Sequence, residues 1–195
     1  MVYARVDCIV KDYAIKGIVL SNVSDLMLIK RYGEKNLEYI SGNHLHIYNH
    51  FTADRLMELG VGIGTYSLEL PFNGCAALKE NTNLPMQQIV FGHPDLMHMK
   101  YCLLSHSNEC INCGRCSDKK YRNIELKGEA EFLVKFDKLQ TETVLYSKKT
   151  YSADTTRVIG DSLRVDFLNE SVTEMNAIIG DIKCGCFYTG GEYTN

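Results

Sequence analysis

Cys102, Cys110, Cys113 and Cys116 fall within fifteen residues at the spacing C-x7-C-x2-C-x2-C. Thiolate is the ligand shared by iron-sulfur clusters and tetrahedral zinc, and two-residue gaps let a turn aim successive sulfurs at one centre. Gly114 lies between two of them, where the backbone must fold tightly. The fourth cysteine of a ferredoxin-type loop, four positions after the third and followed by proline, is replaced by Lys120. Cys102 is then the fourth ligand. Ligand type leaves a [4Fe-4S] cluster and a structural zinc both open. Cys8 and Cys75 sit in apolar surroundings and read as core thiols.

Three further groups could do chemistry. Ser67 and Glu69 directly follow an expected strand, the position where a β/α barrel carries its catalytic groups, and a carboxylate there can act as acid, base or substrate ligand. The same pair also fits a helix N-cap serine with a first-turn glutamate. His93 follows a strand and precedes Pro94, which fits a functional histidine or plain turn punctuation. His44 and His46, read as alternating on one face of an extended stretch with His50 nearby, would make a two-histidine metal pair. A hydrolytic zinc site needs a third ligand, and no H-E-x-x-H occurs. Gly60-Val-Gly62-Ile-Gly64 does not fit a dinucleotide fingerprint, because its glycines enter a strand rather than a helix.

The elements that would position these groups are short β runs at near-constant pitch: Gly17 to Ser21, Leu37 to Ile40, Gly62 to Ser67 and Gln88 to Phe91. Helical patterns over Ser24 to Tyr32 and Thr52 to Leu59 separate them, so βα repeats on a parallel sheet are expected over 1–92. The rhythm stops at Gly92, and 93–122 reads as a cysteine-rich metal loop. Alternation of Phe132, Val134 and Phe136 marks an antiparallel β-hairpin insertion over 123–160. A last β/α unit follows over 161–185, with a strand at Leu163 to Phe167, the capping box Ser171-Val-Thr-Glu174, and a helix that stops between Gly180 and Gly185. The expected class is α/β in a single domain, a partial (β/α) TIM-like barrel with parallel strands and an open sheet edge. A small doubly wound domain is the alternative.

The chain has 195 residues, 45% of them hydrophobic and 23% charged, an ordinary globular composition. That length falls short of the roughly 250 residues of a full eight-fold barrel. A formal net charge of -3 excludes a protein that coats nucleic acid through overall charge. Between Lys100 and Lys127, however, six basic residues face three acids, a local excess that suits an RNA backbone or a solvated loop equally. No apolar window approaches a membrane span and the first residues lack a signal-peptide pattern, so a cytoplasmic protein with reduced thiols and no membrane partner is expected.

The chain resembles the collagenase-like peptidases of family U-32. The match runs through Gly17-Ile-Val-Leu-Ser-Asn22, Leu45-His-Ile-Tyr-Asn49 with Thr52-Ala53, Thr65-Tyr-Ser-Leu-Glu-Leu70, Phe91-Gly-His-Pro-Asp-Leu-Met97 into Lys100-Tyr-Cys102, and Cys110-x-x-Cys113. Phe132-Leu-Val134, Leu163-Arg-Val-Asp166 and Tyr188-Thr-Gly-Gly191 continue it. The resemblance implies the second half of the family's barrel domain, a [4Fe-4S] cluster on Cys102, Cys110 and Cys113, and part of an enzyme that carries out an oxygen-independent hydroxylation, with RNA the leading substrate and a quinone precursor the other. Proteolysis is the family's other named activity, and a zinc-stapled binding module is the non-catalytic alternative. The usual fourth cysteine position, near Phe136 or Gln140, is not cysteine here, and Cys116 is the available substitute. Glu69 and His93 are then the catalytic candidates, and Asn49, Ser67 and Arg164 the substrate-binding ones. The implied partners are RNA and, on the open sheet edge, the missing N-terminal barrel half or another chain.

Overall fold

The computed structural model describes residues 2–103, 121–126, 128, 130–137, 142–154 and 157–185. Cys110, Cys113 and Cys116 lie outside the described residues. The chain divides into two compact units: Met1–Ile89 with Val158–Arg164, and Val90–Arg157 with Val165–Thr194.

The first unit opens with helix α1 (Val2–Asp12) and continues as β1 (Gly17–Leu20), α2 (Leu26–Tyr32), β2 (Glu38–Ser41), α3 (His50–Glu58), β3 (Gly64–Thr65) and α4 (Phe72–Asn81), ending in the first half of β4 (Met86–Gly92). β1 and β2 are parallel from Gly17↔Glu38 to Leu20↔Ser41, and β3 and β4 are parallel at Gly64↔Met86 and Thr65↔Gln87. Parallel bridges Ile40↔Ile63 and Ile47↔Tyr66 join the two pairs. Neighbouring strands therefore follow chain order, each return made by a helix, and among the described residues no strand reverses the order as a doubly wound sheet requires. β10 (Ser162–Asp166) adds on the far side of β4. This is the α/β arrangement of a partial barrel, with an antiparallel sheet inserted between β4 and β10.

Local chemistry accounts for most boundaries. Asn22 and Asp25 form a capping box just before α2, and Asn49 caps α3 by accepting from the Thr52 N–H at 2.9 Å. Gly60, at φ +100, makes the left-handed exit from α3. Val6 and Val10, four residues apart, give α1 its inner stripe. Leu20, Ile47, Ala53, Leu84 and Met86 are fully buried at the centre, with Leu28, Leu56 and Leu78 from the helices. Cys75 is part of this core, and burial pushes its thiol up to about 11, which makes it inert, whereas Cys8 is exposed on α1 and is not a core thiol. Asp161 ties the returning segment to this unit: its carboxylate accepts from Lys79 Nζ and, at 2.8 Å, from the Met86 N–H, and the Lys79 ammonium first, then that N–H, lower its pKa.

Tyr66 is 2% exposed and its hydroxyl has no hydrogen-bond partner among the described residues. Burial drives its pKa upward. An unpartnered buried hydroxyl is a net cost, so Tyr66→Phe is expected to keep the fold and raise stability by up to about 1 kcal/mol. Urea unfolding checks this, and a loss of similar size would reveal a partner for the hydroxyl.

The second unit is built on a four-stranded antiparallel sheet, in the order β5 (Asp95–Met99), β8 (Glu142–Ser147), β7 (Ala130–Asp137), β6 (Arg122–Leu126). The insertion is thus larger than the expected hairpin, and it recruits Asp95–Met99 from a stretch whose sequence reads as loop. DLMHM carries no period-2 pattern. Its strand form comes from pairing with β8, with a bulge between Asp95 and Met97. Leu133 is buried beside Val134 and Phe136, so the alternation of β7 is less clean than its sequence suggests. β9 (Tyr151–Ser152) pairs antiparallel with the end of β4. α5 (Val172–Cys184) begins in the expected Ser171/Glu174 capping box and stops at Gly185 in left-handed conformation, φ 70. No helix among the described residues is long and apolar enough to cross a membrane.

On β5, His98 bridges two carboxylates, with Nε2 2.8 Å from Asp95 Oδ2 and Nδ1 hydrogen-bonded to Glu142 on β8. Burial disfavours its charged form, but the hydrogen bonds and charges of Asp95 and Glu142 outweigh burial and raise its pKa. A raised folded pKa contributes stability that is present below the unfolded value of about 6.5 and lost as pH rises through the folded value. The pairing of β5 with β8 is therefore expected to loosen above about pH 6.5, and His98→Gln to flatten that dependence. Hydrogen exchange of the β5 amides across pH 5 to 9 checks it, and an unchanged slope in the variant would remove the assignment. Because His98 is half exposed, the effect is small.

Candidate functional site

In the first unit, a buried polar ladder joins the ends of three successive strands. The Thr65 N–H donates to Ser41 Oγ at 2.7 Å, Thr65 Oγ1 donates to the Ser41 carbonyl, and Gln87 Nε2 donates to Thr65 Oγ1 at 2.7 Å. The Ser41 carbonyl can only accept, so the Thr65 proton is committed to it and Gln87 must present its NH2 to Thr65. Side chains at this depth of a parallel sheet are ordinarily apolar. Here they fix the register at the strand ends.

Past Thr65 the chain turns through Ser67 and Glu69. Ser67 is buried and accepts weakly from the Glu69 N–H at 3.4 Å. Neither residue caps a helix, because α4 starts later, behind Pro71. The Glu69 carboxylate instead accepts from the Tyr48 hydroxyl, and this hydrogen bond, foremost, raises the Tyr48 pKa. Tyr48, Ser67 and Glu69 are thus brought together at the carboxyl ends of the strands, where a barrel carries its chemistry. Asn49 is adjacent, but its Oδ1 is spent on the Thr52 N–H and, at 3.2 Å, the Thr52 hydroxyl. That makes it a helix cap. His44 and His46 do not share an extended face: Asn43–Leu45 form a 3-10 turn and His46 is left-handed at φ 46. Arg164 lies on β10, half-buried.

In the second unit, His93 lines a cleft of about 320 Å³ with Glu170 and the start of α5. Its Nδ1 is 2.8 Å from the Ser147 carbonyl and its Nε2 3.0 Å from Glu170 Oε1. A carbonyl only accepts, so Nδ1 carries a proton, and one further proton lies between Nε2 and Oε1. Glu170 Oε2 accepts from the N–H groups of Leu168 at 2.7 Å and Asn169 at 3.1 Å. The side chains of His93 and Glu170 are 7% and 9% exposed. Neither ring nitrogen can meet a substrate without giving up a partner, which fits an orienting role better than direct proton transfer.

Of the cysteine array, Cys102 is described. It is a free thiol, buried just past β5, and the preceding carbonyl, of Tyr101, accepts from Thr143 Oγ1 at 2.6 Å. A buried, unpaired thiol held next to a strand is compatible in chemistry and setting with a cluster or zinc ligand.

Tyr48 and Glu170 are the functional candidates that sequence reasoning missed. Tyr48 stands inside the Leu45-His-Ile-Tyr-Asn49 stretch, but its partner is twenty-one residues away. Glu170 directly precedes the capping box, where an acid ordinarily reads as solvated surface.

No protein-family model and no curated protein matches the chain. Among solved structures, that of a U32 peptidase is similar over 86% of this chain and 61% of its own, at 10% sequence identity and a TM-score of 0.46. The chain spans about three fifths of the length of that structure.

Proposed function

We propose that this chain is part of a U-32-type enzyme that binds an iron-sulfur cluster through Cys102, Cys110, Cys113 and Cys116 and acts in the oxygen-independent hydroxylation of RNA. The observation that carries the reading is the array of four cysteines in fifteen residues, whose first member is a buried free thiol beside β5. When bound, such a cluster supplies electron transfer. The chain's own groups then have separate tasks: Glu69, held by Tyr48, offers a carboxylate at the strand ends, and the His93–Glu170 pair shapes the cleft of the second unit. β1 is paired on one side alone among the described residues, and Val19 on it is half exposed, which leaves an edge that the rest of a barrel or another chain would cover.

The test is iron, acid-labile sulfide and zinc per chain after anaerobic purification, with the visible spectrum of the same sample. The reading expects about four iron and four sulfide. One zinc without sulfide overturns it and makes the array a structural staple, which brings the peptidase and binding-module alternatives forward.

A further inference from the structure

The cleft of the second unit has a floor of Phe91, Leu133 and Ile178, none more than 5% exposed. Most polar groups around it are already satisfied. His93 is held by Ser147 and Glu170; Glu170 also accepts from two backbone N–H groups. Glu174 closes the capping box with Ser171, and Lys148 pairs with Glu131 at 2.7 Å. What remains uncommitted among the described residues is uncharged: the side-chain amides of Asn123 and Asn169 and the hydroxyl of Thr150. Thr150 Oγ1 is shielded from water and has no partner, so turning it about χ1 toward a ligand breaks no hydrogen bond.

We propose that this cleft binds a small aromatic carboxamide, its ring on the Phe91–Leu133–Ile178 floor and its amide among Asn123, Asn169 and Thr150. Side-chain amides satisfy both the donor and the acceptor of a ligand amide, while an apolar floor takes a flat ring. A free carboxylate would meet the carboxylates of Glu170 and Glu174, and a free ammonium would meet the Lys148 ammonium, while Glu170 and Glu174 are already engaged by His93 and backbone N–H groups and by the Ser171 capping box. A cavity of about 320 Å³ is at the small end of ligand sites, enough for a single ring and its substituent. The inference is independent of the cysteine array and of any cluster.

Three probes of one shape separate the possibilities: nicotinamide, nicotinate and 3-picolylamine, titrated by ligand-observed NMR against the full chain. Nicotinamide is expected to bind at least about fivefold more tightly than either charged analogue, the ratio that a mismatched charge-to-amide contact of about 1 kcal/mol produces. Asn123→Ala and Thr150→Val are each expected to weaken nicotinamide binding roughly two- to tenfold, the loss of one neutral hydrogen bond. Asn123 is exposed, so its variant keeps the fold and carries the test even where Thr150→Val does not. Equal affinity for nicotinate or 3-picolylamine, no binding of nicotinamide, or wild-type affinity in the Asn123 variant would each overturn the proposal.

Discussion

Cys113→Ser is expected to reduce bound iron and acid-labile sulfide from about four each per chain to a small residue, and to bleach the visible absorption with them. A serine hydroxyl is a poor ligand for cluster iron at neutral pH, and Cys113 is the central thiol of C-x2-C-x2-C, so its loss breaks both short spacings at once. Cys102→Ser should have the same effect, since no other described free thiol stands near the array's start in sequence. Cys75→Ser is the control. That thiol is buried in the first unit's core and pushed up to about 11, far from thiolate at neutral pH, and its replacement should leave metal content unchanged. Iron and sulfide by colorimetry on anaerobically purified protein, beside zinc by mass spectrometry, decide the matter. Full iron occupancy in Cys113→Ser would sink the assignment. Zinc lost in place of iron would keep the ligands and change the metal.

The parts of this molecule that were legible in the sequence are those whose signal is local. The four strands from Gly17 to Phe91 were visible because each is a short apolar run bounded by turn residues, and the Ser171/Glu174 box because a cap is made within one turn. What stayed hidden depends on residues distant in sequence. β5 is a strand because β8 pairs with it, forty-odd residues later, and DLMHM by itself carries no such pattern. The spacing of His44 and His46 suits one extended face, but the tight turn at Asn43–Leu45 cannot be seen in residue types that tolerate both conformations. The candidate sites divide in the same way. Glu69 and His93 could be singled out by their place after strands, whereas Tyr48 and Glu170, which hold them, are 21 and 77 residues away. At Asn49 the two levels meet in one residue: its motif suggests substrate binding, and its Oδ1 caps the first turn of α3.

Glu170→Ala is expected to be among the most destabilising single substitutions in the second unit, by about 3–5 kcal/mol. The side chain shares a proton with His93 Nε2, accepts from the Leu168 and Asn169 N–H groups, and is 9% exposed, so its removal leaves a buried imidazole nitrogen and two backbone N–H groups without their partner. Glu170→Gln separates charge from geometry. Its carbonyl can still accept from the two backbone N–H groups, and its NH2 can donate to Nε2 of the neutral imidazole whose Nδ1–H remains on the Ser147 carbonyl. If hydrogen bonding carries the pair, this variant should cost no more than about 1–2 kcal/mol; if charge carries it, the cost approaches that of alanine. Urea unfolding of the full chain with all three proteins gives the comparison, and His93→Gln in each background gives the coupling between the two residues. A cost under about 0.5 kcal/mol for Glu170→Ala would mean that the pair does not form in solution, because surface substitutions fall in that range. The same variants bear on the cleft. Its wall is set by a carboxylate and an imidazole that hold each other in place, so loosening one should blur the pocket's affinity for any ligand even where the sheet around it survives.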